Sequence, residues 1–233
     1  MEPAVQQKFE ALLARREAGE PVAYLTGERE FWSLPLAVNS YTLIPRPETE
    51  TLIEWALDLP LPADAQVMDL GTGSGAIALA LASERPRWQV VAIDASEEAL
   101  TVARSNASTC NLQRVQMLQS DWFEGVTGSQ FNLLVSNPPY VDSADVHLQQ
   151  GDVRFEPQSA LVSADNGLAD IAHIIDKAPK HLLAAGWLLL EHGFAQGAAV
   201  RQLLASRGFT EVTTRSDLAG LERISGGRWH AER

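Results

Sequence analysis

The chain has 233 residues, of which 45% are hydrophobic, enough for one domain with a buried core and a small appendage. Thirty Asp and Glu residues outnumber 18 Lys and Arg residues, so the formal net charge is -12 and the overall field repels phosphate backbones. This composition argues against a disordered chain and against a non-specific nucleic-acid binder.

Cysteine and histidine usage limits the chemistry that the chain can support. The single cysteine, Cys110, has no internal disulfide partner, and no basic start followed by an apolar stretch precedes the body of the chain. The longest apolar run, residues 182–190, is far shorter than the roughly 20 residues of a membrane span. The five histidines lack metal-ligand spacing. These features predict a cytoplasmic protein with no metal and no membrane contact. We also expect the protein to be a monomer.

The first predicted element is a helix over residues 4–18. Its apolar residues recur at helical spacing on one face, and Gly19 with Pro21 ends the pattern. These apolar residues are Val5, Phe9, Leu12 and Leu13. We expect this face to pack against another part of the protein.

The segment over residues 27–50 predicts a small hairpin followed by turns, because short alternating apolar runs are interrupted by prolines. Pro47 suits the first position of a helix, and Glu48 and Glu50 then lie near the positive end of the helix dipole.

From residue 64 onward strands alternate with helices. Strands are predicted at 66–70, 88–94, 114–119, 131–137, 186–192, 209–215 and 222–230. Helices are predicted at 74–85, 96–107, 167–183 and 195–207, the second of them capped by Ser96. This alternation predicts an α/β fold, a mostly parallel sheet with helices on both faces.

A glycine-rich loop, Asp69-Leu-Gly-Thr-Gly-Ser-Gly75, joins the strand at 66–70 to the next helix. Glycines let the backbone turn sharply and approach a ligand closely. The spacing is G-x-G-x-G rather than the G-x-G-x-x-G of dinucleotide-binding enzymes, which favours S-adenosylmethionine over NAD. The alternative is a tight turn without a ligand. The predicted cofactor-binding residues of the loop are Gly71, Thr72, Gly73, Ser74 and Gly75.

Two further strand ends add candidate cofactor contacts. Asp94 ends the second strand 19 residues after Gly75, where a carboxylate can accept hydrogen bonds from both ribose hydroxyls. Asp121 and Trp122 follow the third strand, where the indole can pack on an adenine ring and the carboxylate can accept from an amino group. Ordinary core packing of Trp122 remains an alternative.

The tetrapeptide Asn137-Pro138-Pro139-Tyr140 follows the strand at 131–137 and is stiffened by its prolines. The Asn137 side-chain oxygen and the Pro138 carbonyl can accept the two N–H groups of a planar nitrogen, and Tyr140 can pack against its planar face. We predict that all four residues bind the substrate, that Asn137, Pro138 and Tyr140 are catalytic, and that Asn137 also contacts the cofactor.

The chemistry of this tetrapeptide does not select one acceptor. A carboxamide and an exocyclic base amine are both poor nucleophiles, because the nitrogen lone pair is delocalised. Two acceptor oxygens stabilise the charge that develops on such a nitrogen during methyl transfer. Glutamine, adenine and cytosine all remain possible at this point, and a proline pair that merely ends a strand is the non-functional alternative.

Taken together, these segments resemble the peptide chain release factor glutamine methyltransferases, the PrmC or HemK family. The similar blocks are GEPVAYLTGEREFWSLPL, LIPRPETE, DLGTGSGAIALALA, QSDWF, SNPPY and QQGDVRFEPQSALVSADNGLADI. The first and last are more specific than the cofactor motifs, which many methyltransferases share.

The resemblance implies methyl transfer from S-adenosyl-L-methionine to the side-chain amide of the glutamine in the Gly-Gly-Gln motif of class I release factors, with S-adenosyl-L-homocysteine as product. It also implies a Rossmann-like, seven-stranded class I methyltransferase fold. Residues 1–40 correspond to the remainder of an N-terminal helical module and a hairpin linker, and residues 41–233 to the catalytic domain. Arg46, Glu48 and Glu50 lie near the site mouth by this comparison, with helix capping and surface pairing as the alternative.

Two rival functions remain open. A nucleic-acid amino-methyltransferase could present an exocyclic amine to the same tetrapeptide, but such an enzyme should carry a basic stripe, and here the basic residues are dispersed among acids. We therefore expect no direct nucleic-acid partner. A catalytically silent scaffold is the second rival, and the intact glycine loop and NPPY segment argue against it.

Overall fold

A computed structural model describes residues 2–230. Its main feature is a seven-stranded sheet in the order β5-β4-β3-β6-β7-β9-β8. The strands are β3 (Gln66–Leu70), β4 (Gln89–Asp94), β5 (Gln116–Gln119), β6 (Phe131–Ser136), β7 (Leu182–Glu191), β8 (Thr210–Ser216) and β9 (Glu222–Arg228). Five of them run parallel, and β9 pairs antiparallel with β7 and β8. The predicted mostly parallel, seven-stranded sheet is confirmed.

Helices cover both faces of this sheet, because residues of the central strands point alternately to opposite sides. Val67 belongs to the apolar cluster on one face, and Met68 belongs to the cluster on the other. The helices of the sheet region are α3 (Glu50–Asp58), α4 (Ala76–Glu84), α5 (Glu97–Thr109), α7 (Ala169–Lys177) and α8 (Gly197–Arg207). The predicted α/β class and the Ser96 cap, which accepts from the Ala99 amide at 3.0 Å, are confirmed. No helix within residues 2–230 is long and apolar enough to cross a membrane.

The first helix, α1 (Pro3–Glu17), forms as predicted, but its expected packing does not occur. None of its residues is buried, and Phe9 on the apolar face is 56% exposed. Its C-terminal end is attached by polar contacts: Arg16 pairs with Asp152 at 3.0 Å, and Arg154 donates to the Ala18 carbonyl at 2.9 Å. These contacts join the helix end to the loop that follows β6, so the helix is held by its end rather than by its apolar face.

The predicted hairpin is present as β1 (Glu28–Phe31) and β2 (Leu34–Ala37), preceded by a short helix α2 (Val22–Thr26) that the sequence pattern did not indicate. Phe31 and Leu36 are buried in the same apolar cluster as the sheet residues. The helix predicted from Pro47 begins as a 3-10 turn over Pro47–Thr49 and becomes α-helical only at Glu50.

A long irregular segment connects β6 to α7. It contains three 3-10 turns, namely Val146–Gln149, Val153–Phe155 and Gln158–Ala160, and the four-residue element α6 (Ala164–Gly167). An isolated bridge between Val141 and Val162 closes the segment on itself. The predicted helix near 167–183 is shorter than expected because its regular α part ends at Lys177, before Pro179 and the β7 strand.

Asn106 of α5 joins the hairpin to the glycine loop. Its side chain is 1% exposed; Oδ1 accepts from the Ala37 amide at 2.7 Å, while Nδ2 donates to the carbonyls of Ala37 and Ser74 at 3.0 and 2.8 Å. A single side chain therefore satisfies three backbone groups from two separate segments.

We expect Asn106→Ala to lower the free energy of unfolding by about 3 kcal/mol, because it leaves the buried Ser74 carbonyl and both backbone groups of Ala37 without this partner. Asn132→Ala is the matched control: that side chain accepts one hydrogen bond, from the Gln66 amide, and its loss should cost about 1 kcal/mol. Urea unfolding of both variants measures the difference. Equal losses would contradict the role given to Asn106.

Candidate active site

A cavity of about 570 Å³ opens at the carboxyl edge of the parallel strands, where open α/β sheets bind ligands. Its volume falls in the range of sites for small molecules. Its wall residues come from the segments 41–49, 71–77, 94–99, 120–122, 137–139 and 157–170. The glycine loop and the start of the NPPY segment, which lie far apart in the sequence, therefore border one space.

The glycine loop is shaped by backbone hydrogen bonds to the neighbouring strand. The amides of Gly71 and Thr72 both donate to the Ile93 carbonyl, at 2.9 and 2.8 Å. Gly71, Gly73 and Gly75 have φ of +72°, +56° and +86°, a region that glycine adopts without steric cost.

The glycines differ in what surrounds them. A Cβ on Gly75 would lie 3.2 Å from Leu79 Cδ1 and 3.3 Å from Ala103 Cβ, so this glycine permits helix packing. A Cβ on Gly73 would meet no described atom within 4 Å, and Gly73 borders the cavity. Gly73 therefore leaves open space for a ligand, whereas Gly75, which is not among the wall residues, has a structural role in the geometry.

Two acidic side chains hold the loop in place. Asp94 accepts from the Gly73 amide at 2.8 Å and from the Ser96 amide at 2.9 Å while bordering the cavity. Burial raises the pKa of Asp94, and the amide donors oppose that rise. Asp69 lies beneath the loop and accepts from the Thr72 hydroxyl at 2.6 Å and the Ala78 amide at 3.2 Å.

Trp122 and Asp121 form the wall facing the glycine loop. The Trp122 ring lies 3.6 Å from the position that a Cβ would take on Gly71. The same indole packs partly against the core cluster on one sheet face. The two alternatives for Trp122 are therefore not exclusive, since its ring contributes to the core and to the cavity wall. Asp121 is exposed at the cavity border.

The NPPY segment divides between the cavity and the protein interior. Asn137 and Pro139 border the cavity, whereas Pro138 is buried behind it. The Tyr140 hydroxyl donates to Glu191 Oε1 at 3.2 Å, and Tyr140 is not among the wall residues. The planar contact expected of Tyr140, the catalytic roles of Asn137, Pro138 and Tyr140, and substrate binding by all four residues stay predictions.

Sequence reasoning missed the wall formed by residues 41–45. Tyr41, Leu43 and Pro45 border the cavity, whereas Thr42 and Ile44 between them are buried. Alternating buried and cavity-lining residues are typical of an extended segment that has one face on a cavity. This alternation is the sequence pattern that could have indicated the wall. Pro157, Ser159 and Ala160 also line the cavity, and the resemblance had indicated only that their block is family-specific.

Arg46 links two segments of the chain that contribute to the cavity wall. Its guanidinium pairs with the fully buried carboxylate of Glu156, which also accepts from the Ile44 amide at 3.0 Å. The pair joins the walls at 41–45 and 157–160. Glu50 Oε1 accepts from the Trp32 amide at 3.1 Å, and Glu48 is exposed. Of the three charged residues expected at the mouth, Arg46 and Glu50 thus have structural contacts.

Comparison with known proteins identifies the family. Residues 49–159 match the methyltransferase small domain and residues 1–27 match the PrmC N-terminal domain. The chain is 55% identical to the release factor glutamine methyltransferase of Pseudomonas aeruginosa over 96% of this chain and 81% of the relative. It is 53% identical to that of Escherichia coli over the same shares of the two chains.

The chain belongs to the release factor glutamine methyltransferase family. The resemblance drawn from the sequence blocks is therefore confirmed, and the chain is an enzyme of the methyltransferase class.

Among solved structures, a methyltransferase from Pyrococcus furiosus aligns with a TM-score of 0.64 at 18% identity, covering 85% of this chain and 90% of that one. The likeness supports the class I methyltransferase fold. This domain and fold imply use of S-adenosylmethionine, and the open space beside Gly73, the Asp94 carboxylate and the Trp122 face suit a nucleoside ligand.

Burial raises the pKa of Asp69 to about 7, and the hydrogen bonds from Thr72 and Ala78 only partly oppose the rise. The unfolded chain loses this proton near pH 4 and the folded chain near pH 7, so the folded state binds more protons in that window. The Asp69 contribution to the free energy of unfolding therefore falls with rising pH, by at most about 1.4 kcal/mol per pH unit.

We expect Asp69→Asn to remove this contribution, so wild type should lose more stability than the variant between pH 5 and pH 8. Urea unfolding at both pH values measures it, with the exposed Asp64→Asn as control. Identical pH dependence in wild type and Asp69→Asn would show that Asp69 has an ordinary pKa.

Proposed function

We propose that the enzyme transfers a methyl group from S-adenosyl-L-methionine to the side-chain amide nitrogen of the glutamine in the Gly-Gly-Gln motif of class I release factors, thereby modulating translation termination. The main support for this proposal is that the sequence is 55% identical to that of a release factor glutamine methyltransferase over 96% of this chain. One cavity bordered by both the glycine loop and Asn137 supports the proposal. The reaction takes place in a monomeric cytoplasmic enzyme with a catalytic domain over residues 41–233, preceded by a helix and hairpin segment over 1–40.

The cofactor site consists of the loop 71–75 with Asp94, Asp121 and Trp122. The Asp94 carboxylate, which is fixed by hydrogen bonds from the Gly73 and Ser96 amides, would accept the ribose hydroxyls. The Trp122 indole would hold the adenine ring, and Asp121 would accept from the adenine amino group. When bound, S-adenosyl-L-methionine supplies an electrophilic methyl group on a sulfonium.

Asn137 and Pro138 prepare the glutamine amide. Asn137 Oδ1 accepts one N–H and the Pro138 carbonyl accepts the other, which holds the nitrogen in line with the methyl group. A nitrogen–carbon bond forms, a sulfur–carbon bond breaks, and the nitrogen then releases one proton to water. Positive charge develops on the nitrogen, so the two oxygens stabilise the transition state more than the bound substrate.

A release factor should accept labelled methyl from S-adenosyl-L-methionine, because its tip glutamine presents a free carboxamide. Replacing that glutamine by alanine should abolish labelling, whereas replacing a glutamine elsewhere in the same release factor should not. Scintillation counting of the purified protein measures transfer. Label on DNA or RNA, with none on the release factor, would overturn the proposal in favour of a nucleic-acid enzyme.

Asn137→Ala should lower kcat by roughly 100-fold or more, because one oxygen that stabilises the developing charge is lost. Cofactor affinity, measured by calorimetric titration with S-adenosyl-L-homocysteine, should change by less than about threefold, since Asp94 and Trp122 are unaltered. A loss of cofactor binding that matches the loss of turnover would instead make Asn137 mainly a cofactor ligand.

A further inference from the structure

Glu191 is a buried carboxylate beside the proposed acceptor site. The proposed methyl transfer gives this carboxylate no role. The parallel register pairs Ser136 of β6 with Leu190 of β7. The next residues along the two strands are Asn137 and Glu191, so the sheet places them at the same level. Glu191 is 1% exposed, and a buried carboxylate requires donors.

One hydroxyl group meets part of this requirement. The Tyr140 hydroxyl donates to Glu191 Oε1 at 3.2 Å. Burial raises the pKa of Glu191 to about 7, and the hydroxyls of Thr49 and Tyr140 only partly oppose that rise. Glu191 Oε2 has no hydrogen-bond partner among residues 2–230, so it is open to accept a hydrogen bond from the Thr49 hydroxyl.

Thr49 in turn contacts Asn137. Asn137 Nδ2 donates to Thr49 Oγ1 at 3.3 Å, and Thr49 itself is 4% exposed. A threonine hydroxyl has one proton and two lone pairs. If its proton points to Glu191, the hydroxyl can only accept from Asn137, and the amide must turn Nδ2 toward Thr49.

This arrangement determines the direction of the other amide atom. No described residue donates to Asn137 Oδ1, and that atom is not among the buried atoms that lack partners, while Asn137 borders the cavity. We propose that Thr49 and Glu191 are positioning residues that orient the Asn137 side chain, so that its oxygen rather than its nitrogen faces the methyl-accepting amide. This inference rests on the proposed function for the identity of the acceptor.

The consequence is chemical selectivity at one atom. An asparagine flipped by 180° would present an N–H donor to the acceptor nitrogen, and a donor would repel the N–H groups that the reaction must hold. Without a hydrogen bond that fixes its orientation, the Asn137 amide would populate the unproductive orientation part of the time. The Thr49 hydroxyl fixes the productive orientation before the substrate binds, so the site is preorganised.

The kinetic test compares Thr49→Val, which keeps the shape and loses the hydroxyl, with Thr49→Ser, which keeps the hydroxyl. Thr49→Val should lower kcat roughly tenfold, the effect of one lost orienting hydrogen bond, with affinity for S-adenosyl-L-homocysteine unchanged. Thr49→Ser should stay within about threefold of wild type. Thr51→Val, in the first turn of α3, controls for introducing valine. A Thr49→Val enzyme with full kcat would overturn the inference.

A second readout needs no substrate, so it separates this inference from the proposed function. In protein labelled with ¹⁵N-asparagine, the Asn137 side-chain amide is assigned by its absence in Asn137→Asp. Its hydrogen exchange should be slow in wild type and Thr49→Ser and faster in Thr49→Val. An unchanged exchange rate in Thr49→Val would refute the proposed orientation of Asn137 by Thr49, even if release factor methylation is observed.

Should Thr49→Val fail to fold, Glu191→Gln supplies the same test. Glutamine keeps the side-chain shape but has an NH₂ group that can donate to Thr49 Oγ1, which frees the Thr49 proton to point at Asn137. The Asn137 amide should again exchange faster, and kcat should fall. Wild-type exchange and kcat in Glu191→Gln would exclude the carboxylate from orienting Asn137.

Discussion

The parallel pairing of β3, β4, β6 and β7 is the constraint on which the site depends. Parallel strands end at the same edge, so the residues that follow them converge although they are far apart in the chain. Register sets the detail: Leu70 pairs with Ile93 and with Ser136, and Ser136 pairs with Leu190. The glycine loop, Asp94, Asn137 and Glu191 consequently lie at one edge of the sheet. A slip of one residue would turn one of these side chains to the opposite face.

Buried carboxylates perform the finer positioning at this edge. Asp69 holds the glycine loop to the first turn of α4, Glu156 holds the segment at 44–46, and Glu191 faces Thr49 and Tyr140. Each is costly to bury, and each accepts at least one hydrogen bond that partly offsets this cost, while Asp69 Oδ1 and Glu191 Oε2 have no donor among residues 2–230. An acid can collect several donors at once, so it joins irregular segments that no strand pairing could connect.

The sequence predicted most of the sheet and helices, because strands such as 66–70 and 131–136 are short, mainly apolar segments bounded by turns. It also indicated the residues that follow those strands, including Gly73, Asp94 and Asn137. It could not indicate Thr49 or Glu191 as neighbours of Asn137, since their proximity depends on register and on how α3 begins. The unburied apolar face of α1 was also missed, because periodicity reveals an apolar stripe but not what covers it.

In the proposed mechanism, the groups that hold the acceptor nitrogen differ from those that select the acceptor molecule. The two oxygens at Asn137 and Pro138 would suit any planar nitrogen, so they would define the reaction but not the molecule that carries the nitrogen. We therefore expect discrimination to depend on the other wall residues, which include Tyr41, Leu43 and Pro45 and the segment 157–160. The Arg46–Glu156 pair joins these two segments of the wall. That contact couples the two segments through a buried carboxylate, so we expect a substitution at either residue to affect both of them.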